Sequence, residues 1–195
     1  INKTLRLEPG KLYYLSSWVQ RLSGSGGCVP IGTSVHHRDY HPGEDMESLS
    51  HFFYAPEQSE SAYLRLGQWE AEGTVRFGGL ALYKALPIHE RAGDIVLGHG
   101  EMIRNGRYQF QAAYNGEGSN YHRPLKTAQC GFNSNRWCFG ANSHVTYEFT
   151  IPNLKLSPSE LSINVTYHTS GTLTVETSMD GVAWDELATI SEVGE

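Results

Sequence analysis

The chain has 195 residues, of which 39% are hydrophobic and 18% are charged, and its formal net charge is −6. This composition supports a packed core and excludes an intrinsically disordered chain. The acidic charge argues against nucleic acid as a partner, because phosphate binding needs a basic surface, and no apolar run is long enough for a transmembrane helix, so we expect no membrane insertion.

The first half of the chain shows the alternation of apolar and polar residues that is typical of half-buried strands. The segment KLYYLSSWVQR places one set of residues on a common face: Tyr13, Leu15, Ser17 and Val19. Further strands are predicted in SHFFYAP, SAYLRLGQW and GTVRFGGLALYKA. In the last of these, Gly78-Gly79 predicts a bulge or a sharp bend. The core-facing residues around this pair are predicted to be Val75, Phe77, Leu80 and Leu82.

The most polar stretch is HHRDYHPGEDME, residues 36–47. Zinc is ligated by the residue types found at His36, Asp39 and His41. The carboxylates of this stretch could also ligate calcium. No regular pattern holds these side chains in place, so a solvated loop is the first expectation and a metal site the alternative. We otherwise expect no cofactor.

A domain boundary is predicted in YKALPIHERAGD, residues 83–94, where the strand pattern stops and proline and charge appear. It divides the chain into residues 1–86 and residues 87–195. The first unit has few strands for a complete sandwich, so we expect it to be truncated at its N-terminus.

The second half alternates more regularly, in RYQFQA, HVTYEFTI, ELSINVTYH and GTLTVETS. The intervening turns include Ser170–Gly171 and Met179–Gly181. No amphipathic helix of credible length is present, so we predict an all-β chain of antiparallel β-sandwiches. The pair Cys130 and Cys138 can be bridged or free, and Cys28 has no obvious partner.

Two stretches resemble known families. The first half resembles the carbohydrate-binding modules appended to xylanases and glucanases, at Pro9, Gly10, Lys11, Tyr13, Leu15, Ser16, Trp18, Val19, Phe53, Pro56, Leu64, Leu66, Gly73, Thr74, Leu82 and Lys84. Residues 94–195 resemble a galactose-binding-like domain of the discoidin type, in NSNRWCFGANSHVTYEF and VETSMDGVAWDEL. These resemblances imply jelly-roll sandwiches with a ligand-binding or adhesion role.

Sugar recognition needs a flat aromatic face and nearby polar groups that bond to hydroxyls. Two loops offer both, YNGEGSNYHRPL and NSNRW. Their candidate ligand-binding residues are Tyr114, Asn120, Tyr121, Arg123, Asn135, Arg136 and Trp137. Trp69, in a polar setting after a strand, is a further candidate. The alternative is that Trp137 and Tyr121 close the end of the core. Trp18 and Trp184 are expected inside the core.

No nucleophile elbow, zinc-protease motif or phosphate-binding glycine loop is present, so we expect no catalysis. The predicted function is non-catalytic binding of a polysaccharide or oligosaccharide. The chain would target a larger secreted or cell-surface protein, together with its neighbouring domains, to that glycan. The alternative is a structural or adhesion sandwich without a ligand of its own.

Overall fold

The computed structural model describes residues 4–87, 90–115, 120–152 and 159–194. Its contacts divide the chain into two compact units, Ile1–Pro152 and Asn153–Glu195. The boundary predicted near residue 86 lies inside the first of these units.

The described residues are built almost entirely from strands. In the first unit these are β1 (Leu12–Ser23), β2 (Val29–Thr33), β3 (His36–Tyr40), β4 (Glu47–Tyr54), β5 (Leu64–Leu66), β6 (Thr74–Lys84), β7 (Glu90–Ala92), β8 (Ile95–Leu97), β9 (Glu101–Arg104), β10 (Arg107–Phe110), β11 (Leu125–Gln129), β12 (Gly131–Asn133), β13 (Arg136–Cys138) and β14 (His144–Tyr147). One 3₁₀ turn, Ser59–Ser61, is the helical element among the described residues. The prediction of an all-β chain is confirmed.

The first sheet is antiparallel and has the order β4-β1-β6. Its central strand β1 buries alternate residues, as predicted: Tyr13, Leu15, Ser17 and Val19. Cross-strand partners share a face, so Leu15, His51 and Leu82 point inward together. The other face of this sheet is turned away from the core.

The second sheet has the order β13-β12-β3-β2-β5. Strands β12 and β3 are parallel, with Phe132 opposite His36, so the sheet joins segments from both predicted halves of the chain. The expectation of a solvated loop from residue 36 onward was wrong for β3. The alternate residues of β3 share the core side, where the His36 ring is stacked on Phe132 with centroids 4.9 Å apart.

The two sheets share one hydrophobic core. Its buried residues are Leu7, Tyr13, Leu15, Val19, Val29, Ile31, Phe53, Ala55 and Ala62. Strands β5 and β6 add partly buried leucine, valine and phenylalanine side chains. Each fully buried side chain of this size contributes about 1.5–3 kcal/mol, so this core is the main source of stability in the sheet pair.

A bulge interrupts the pairing of β1 with β6. The register shifts between Ser16 and Trp18, and the Ser17 hydroxyl donates to the carbonyl of Gly78 at 3.1 Å. The bulge predicted at Gly78-Gly79 is therefore confirmed. Its effect on the phase was predicted incorrectly for Leu80, which is 42% exposed.

The remaining strands of the first unit form separate two-stranded pairs, β7-β8, β9-β10 and β11-β14. They are short, and β14 covers only the start of the predicted strand HVTYEFTI. The three cysteines are free thiols, with Cys130 buried and Cys138 exposed, so the alternative of a disulfide between them is not realised.

The second unit contains the antiparallel pair of β15 (Leu173–Thr177) and β16 (Asp185–Ile190). The predicted strand ELSINVTYH is not regular there; only a single bridge joins Val165 to Gly194. Trp184, expected in a core, is 45% exposed. The predicted connection PNLKLSPS lies largely outside the described residues. No helix in the described part of the chain has the length and apolar character needed to cross a membrane.

Candidate functional site

The outward side of the first sheet carries a group of aromatic rings. Tyr14 lies opposite Phe52 on β4 and Tyr83 on β6, and Trp18 lies four residues further along β1. Tyr83 is 62% exposed and Trp18 is 50% exposed. Tyr14 and Phe52 are half-buried and pack against each other with ring centroids 4.9 Å apart. We call these four residues the aromatic face.

Trp18 lies directly over the bulge of the neighbouring strand. A β-carbon added to Gly79 would be 2.5 Å from Cδ1 of the indole, and Gly79 has a φ of +55°. Only glycine combines this left-handed backbone with space for the ring. The expectation that Trp18 lies in the core was wrong, because its odd-numbered neighbours on β1 occupy that side.

Small polar residues separate the rings. The register places Ser16, Ser48, Ser50 and Ala81 on the same side of the sheet. Within the described part of the chain, no side-chain hydrogen bond engages the hydroxyls of the three serines. Four residues of strand span about 13 Å, so the surface from Tyr14 to Trp18 is elongated and combines flat rings with free hydroxyls.

Gly79→Ala should therefore destabilise the protein and disturb the aromatic face together. A non-glycine residue in the left-handed region costs about 1–2 kcal/mol, and the added methyl displaces the indole of Trp18. Thermal unfolding and the Trp18 indole NMR signal would measure the two effects.

Gly93→Ala is the matched control, since Gly93 has a φ of +63° and an added β-carbon there meets nothing within 4 Å. It should lose similar stability and leave the Trp18 signal unchanged. An unchanged Trp18 signal in Gly79→Ala would contradict the described contact.

Two of the residues predicted from the loops, Trp137 and Tyr114, lie in an aromatic cluster of the first unit. The indole Nε1 of Trp137 donates to the hydroxyl of Tyr147 at 3.1 Å, and its ring lies edge-on to Phe132 with centroids 5.0 Å apart. The hydroxyls of Tyr114 and Tyr147 are 3.1 Å apart. Both predicted residues are half-buried. These contacts correspond to the structural alternative, in which Trp137 is part of the wall of the core.

Asn120 and Tyr121 contact the end of β4. The side chain of Asn120 is completely buried and bonds to the backbone of Tyr54 in both directions, accepting from N at 2.8 Å and donating to O at 2.9 Å. These two hydrogen bonds take the place of those that a neighbouring strand would make with the backbone at this sheet edge. Tyr121 packs against the Tyr54 ring with centroids 5.4 Å apart. Residues 116–119 of this loop, including Glu117, lie outside the described residues.

Arg123 forms an ion pair with Glu101, whose side chain is fully buried. The Tyr108 hydroxyl and the Gly98 amide also donate to this carboxylate, each at 2.5 Å. Burial alone would raise the pKa of Glu101, but the hydrogen bonds from Arg123, Tyr108 and Gly98 outweigh it, so the pKa is lowered. The guanidinium of Arg123 is thereby committed to an internal partner.

Glu101→Gln should destabilise the first unit by about 3 kcal/mol, because it leaves Arg123 without its counter-charge in a largely buried network. The free energy of unfolding in urea measures this. Glu148→Gln is the control, since the ion pair of Glu148 with Lys126 is exposed and its loss should change little. Equal effects of the two substitutions would contradict the assigned burial.

The remaining predicted residues, Asn135, Arg136 and Trp69, belong to the outward side of the second sheet or its extension. Arg136 donates to the Asn135 side chain at 3.3 Å, and both residues are exposed. Trp69 is 59% exposed and forms a bridge to Cys28, directly before β2. The structure therefore places the predicted site residues in four separate surroundings: the aromatic cluster, the end of β4, the Glu101 network and the outward side of the second sheet.

The candidate metal ligands are also separated. Alternation along β3 directs His36 into the core, where it is completely buried, and Asp39 to the other side. His41 follows the strand, with Nδ1 3.0 Å from the carbonyl oxygen of Gly27. The described residues contain no group of three or more histidine, cysteine or acidic side chains placed to hold a metal ion.

Two of the three buried histidines in the described part of the chain, His36 and His51, were not anticipated as core residues. His36 is stacked between Phe53, Phe132 and His51, and neither ring nitrogen has a hydrogen-bond partner among the described residues. Burial, reinforced by His51 and nearby cationic groups, holds the pKa of His36 well below its usual value. Burial, with the charge of Arg38, lowers the pKa of His51 to about 3. Both rings are neutral core residues at neutral pH.

Comparison with protein-family models, with curated proteins and with solved structures gives no match for this chain.

Proposed function

We propose that the chain binds a neutral polysaccharide or oligosaccharide on the aromatic face, without catalysis. It would tether a larger glycan-active protein, secreted or at the cell surface, to its substrate through neighbouring domains. Jelly-roll modules of the carbohydrate-binding and galactose-binding-like kinds are the finer fold that this proposal implies. The observation that carries it is the exposure of Trp18 and Tyr83 on one sheet face, beside free serine hydroxyls.

The chemistry of this face suits a pyranose chain. The C–H-rich side of a sugar ring packs on an indole or phenol ring, and such aromatic contacts contribute about 0.5–1.5 kcal/mol beyond the buried area. The hydroxyls of Ser16, Ser48 and Ser50 can donate to and accept from sugar hydroxyls. An extended surface of about 13 Å favours an oligosaccharide over a single sugar. The expected affinity is millimolar to micromolar, or roughly −4 to −8 kcal/mol.

The aromatic face and its serines carry no ionisable carboxylate, imidazole or cation. Charged groups begin at its end, where Arg76 donates to Gln20 at 3.3 Å. A neutral glycan therefore fits this face better than an acidic one. The same composition supplies no pair of carboxylates for glycoside hydrolysis, which supports binding without catalysis.

Affinity electrophoresis with a panel of soluble neutral polysaccharides tests the proposal. At least one should retard the wild-type protein, and the double variant Tyr14→Ser/Tyr83→Ser should migrate as in a gel without polysaccharide. Circular dichroism checks that the variant is folded. If no glycan in the panel retards the wild type, the structural or adhesion role takes its place. Release of reducing ends from the polysaccharide would instead indicate an enzyme.

A further inference from the structure

A polar row crosses the outward side of the second sheet. Successive cross-strand partners are Arg65 with Gly32, Gly32 with His37, His37 with Asn133, and Asn133 with Arg136. These residues come from all five strands of the sheet. Because the core covers the other side of this sheet, the row lies on the opposite side of the first unit from the aromatic face.

The guanidinium of Arg65 lies against the imidazole of His37. Its Nη1 is 3.5 Å from Nδ1 and 3.4 Å from Nε2. This contact positions the guanidinium while leaving its other N–H donors without a partner in the described part of the chain.

Neither arginine of the row is neutralised. No described carboxylate is within ion-pair distance of Arg65 or Arg136, although the chain as a whole has a net charge of −6. The carboxylate of Asp39 is 4.0 Å from Nε2 of His37. Burial is the main reason that the pKa of His37 is lowered to about 4, and the positive charges of Arg65 and Arg136 lower it further. The negative charge of Asp39 acts in the opposite direction. The row is thus a locally positive strip on an acidic protein.

An exposed ring lies further along the same side of the sheet. The bridge between Cys28 and Trp69 continues the pairing of β2 with β5, so Trp69 shares the side of Arg65 at a distance of four residues, or about 13 Å. Gly67 lies between them, and a β-carbon added there meets nothing within 4 Å. No side chain of this segment therefore lies between the indole and the guanidinium, and Asp39 lies on the same side of the sheet, next to Cys28.

We propose that the outward side of the second sheet binds an acidic sugar chain. Arg65 and Arg136 each hold a carboxylate or sulfate group of the chain by charge-assisted hydrogen bonds, and Trp69 packs on a neighbouring sugar ring. This site shares only its class of ligand with the proposed function, and none of its residues belongs to the aromatic face.

Affinity electrophoresis distinguishes the two anionic groups, using polygalacturonate for carboxylate and dextran sulfate for sulfate. One of them should retard the wild type, and salt should weaken the effect. Arg65→Gln/Arg136→Gln should lose about tenfold or more in affinity. The control Arg104→Gln/Arg107→Gln makes the same change in net charge at exposed arginines elsewhere and should retain binding.

A second readout separates the site from general charge attraction. At neutral pH, sodium sulfate should shift the ring NMR signals of His37 in the wild type and not in Arg65→Gln/Arg136→Gln. The proposal fails if neither polyanion retards the wild type, or if both arginine double variants lose binding equally. In either case retardation by a neutral polysaccharide, abolished by Tyr14→Ser/Tyr83→Ser, would leave the proposed function standing.

Discussion

Trp18→Ala is expected to weaken the binding of a neutral polysaccharide by about tenfold or more. The substitution removes a half-exposed indole from the centre strand of the aromatic face, and a loss of about 1.4 kcal/mol corresponds to a factor of ten. Because half of the ring is already in contact with solvent, the variant should remain folded. Quantitative affinity electrophoresis measures the effect, with thermal unfolding as a check on stability.

Trp69→Ala is the matched control for this prediction. Trp69 has a similar exposure, 59% against 50% for Trp18, but lies on the side of the second sheet. It should retain the affinity of the wild type for the neutral polysaccharide. If Trp69→Ala lost that affinity and Trp18→Ala retained it, the neutral glycan would bind the second sheet, and the proposed site on the aromatic face would be wrong.

Acid should unfold the protein steeply between about pH 6 and pH 4. The folded state holds His36 and His51 neutral, with the pKa of His51 lowered to about 3. Their stabilising contribution is complete above the unfolded pKa of about 6.5 and is lost as the pH falls toward the folded pKa. At pH 4.5 His51 alone then costs about 2–3 kcal/mol, a large part of the stability of a typical domain, and His36 acts in the same direction.

His36→Phe should reduce this acid sensitivity. The ring already stacks on Phe53 and Phe132, and phenylalanine removes two buried nitrogens without partners among the described residues. We expect a gain of about 1–3 kcal/mol at neutral pH and a lower midpoint of acid unfolding. His41→Phe, at an exposed ring, should keep the wild-type midpoint. Urea unfolding at several pH values measures both, and identical pH dependence in His36→Phe and the wild type would contradict a buried neutral His36.

Alternation predicted the strands that bury one face. It located β1, β4, β6 and β15 and the inward residues of β1, because a half-buried strand must repeat every two residues. The same phase already assigned Trp18 to the outward side. Expecting it in the core gave residue type more weight than position.

Partners distant in the sequence explain most of what the pattern did not predict. Strand β3 reads as polar, yet forms because His36 packs on rings from β4 and β12. Arg123 and Asn120 look like ligand-binding residues until Glu101 and the Tyr54 backbone are brought beside them. Short-range periodicity contains no information on either pairing, since tertiary contacts override local preference. The aromatic face could have been found from the outward phase of β1, β4 and β6.

The most direct test of the binding surface is an NMR titration with a soluble neutral oligosaccharide, in which the indole and aromatic-ring signals are followed. We expect progressive shifts of the Trp18, Tyr14 and Tyr83 signals, with the Trp69 and Trp184 signals unchanged at the same concentrations. If only the signals of Trp69, Trp137 or Trp184 showed saturable shifts and those of the aromatic face did not change, the aromatic face would not be the binding surface.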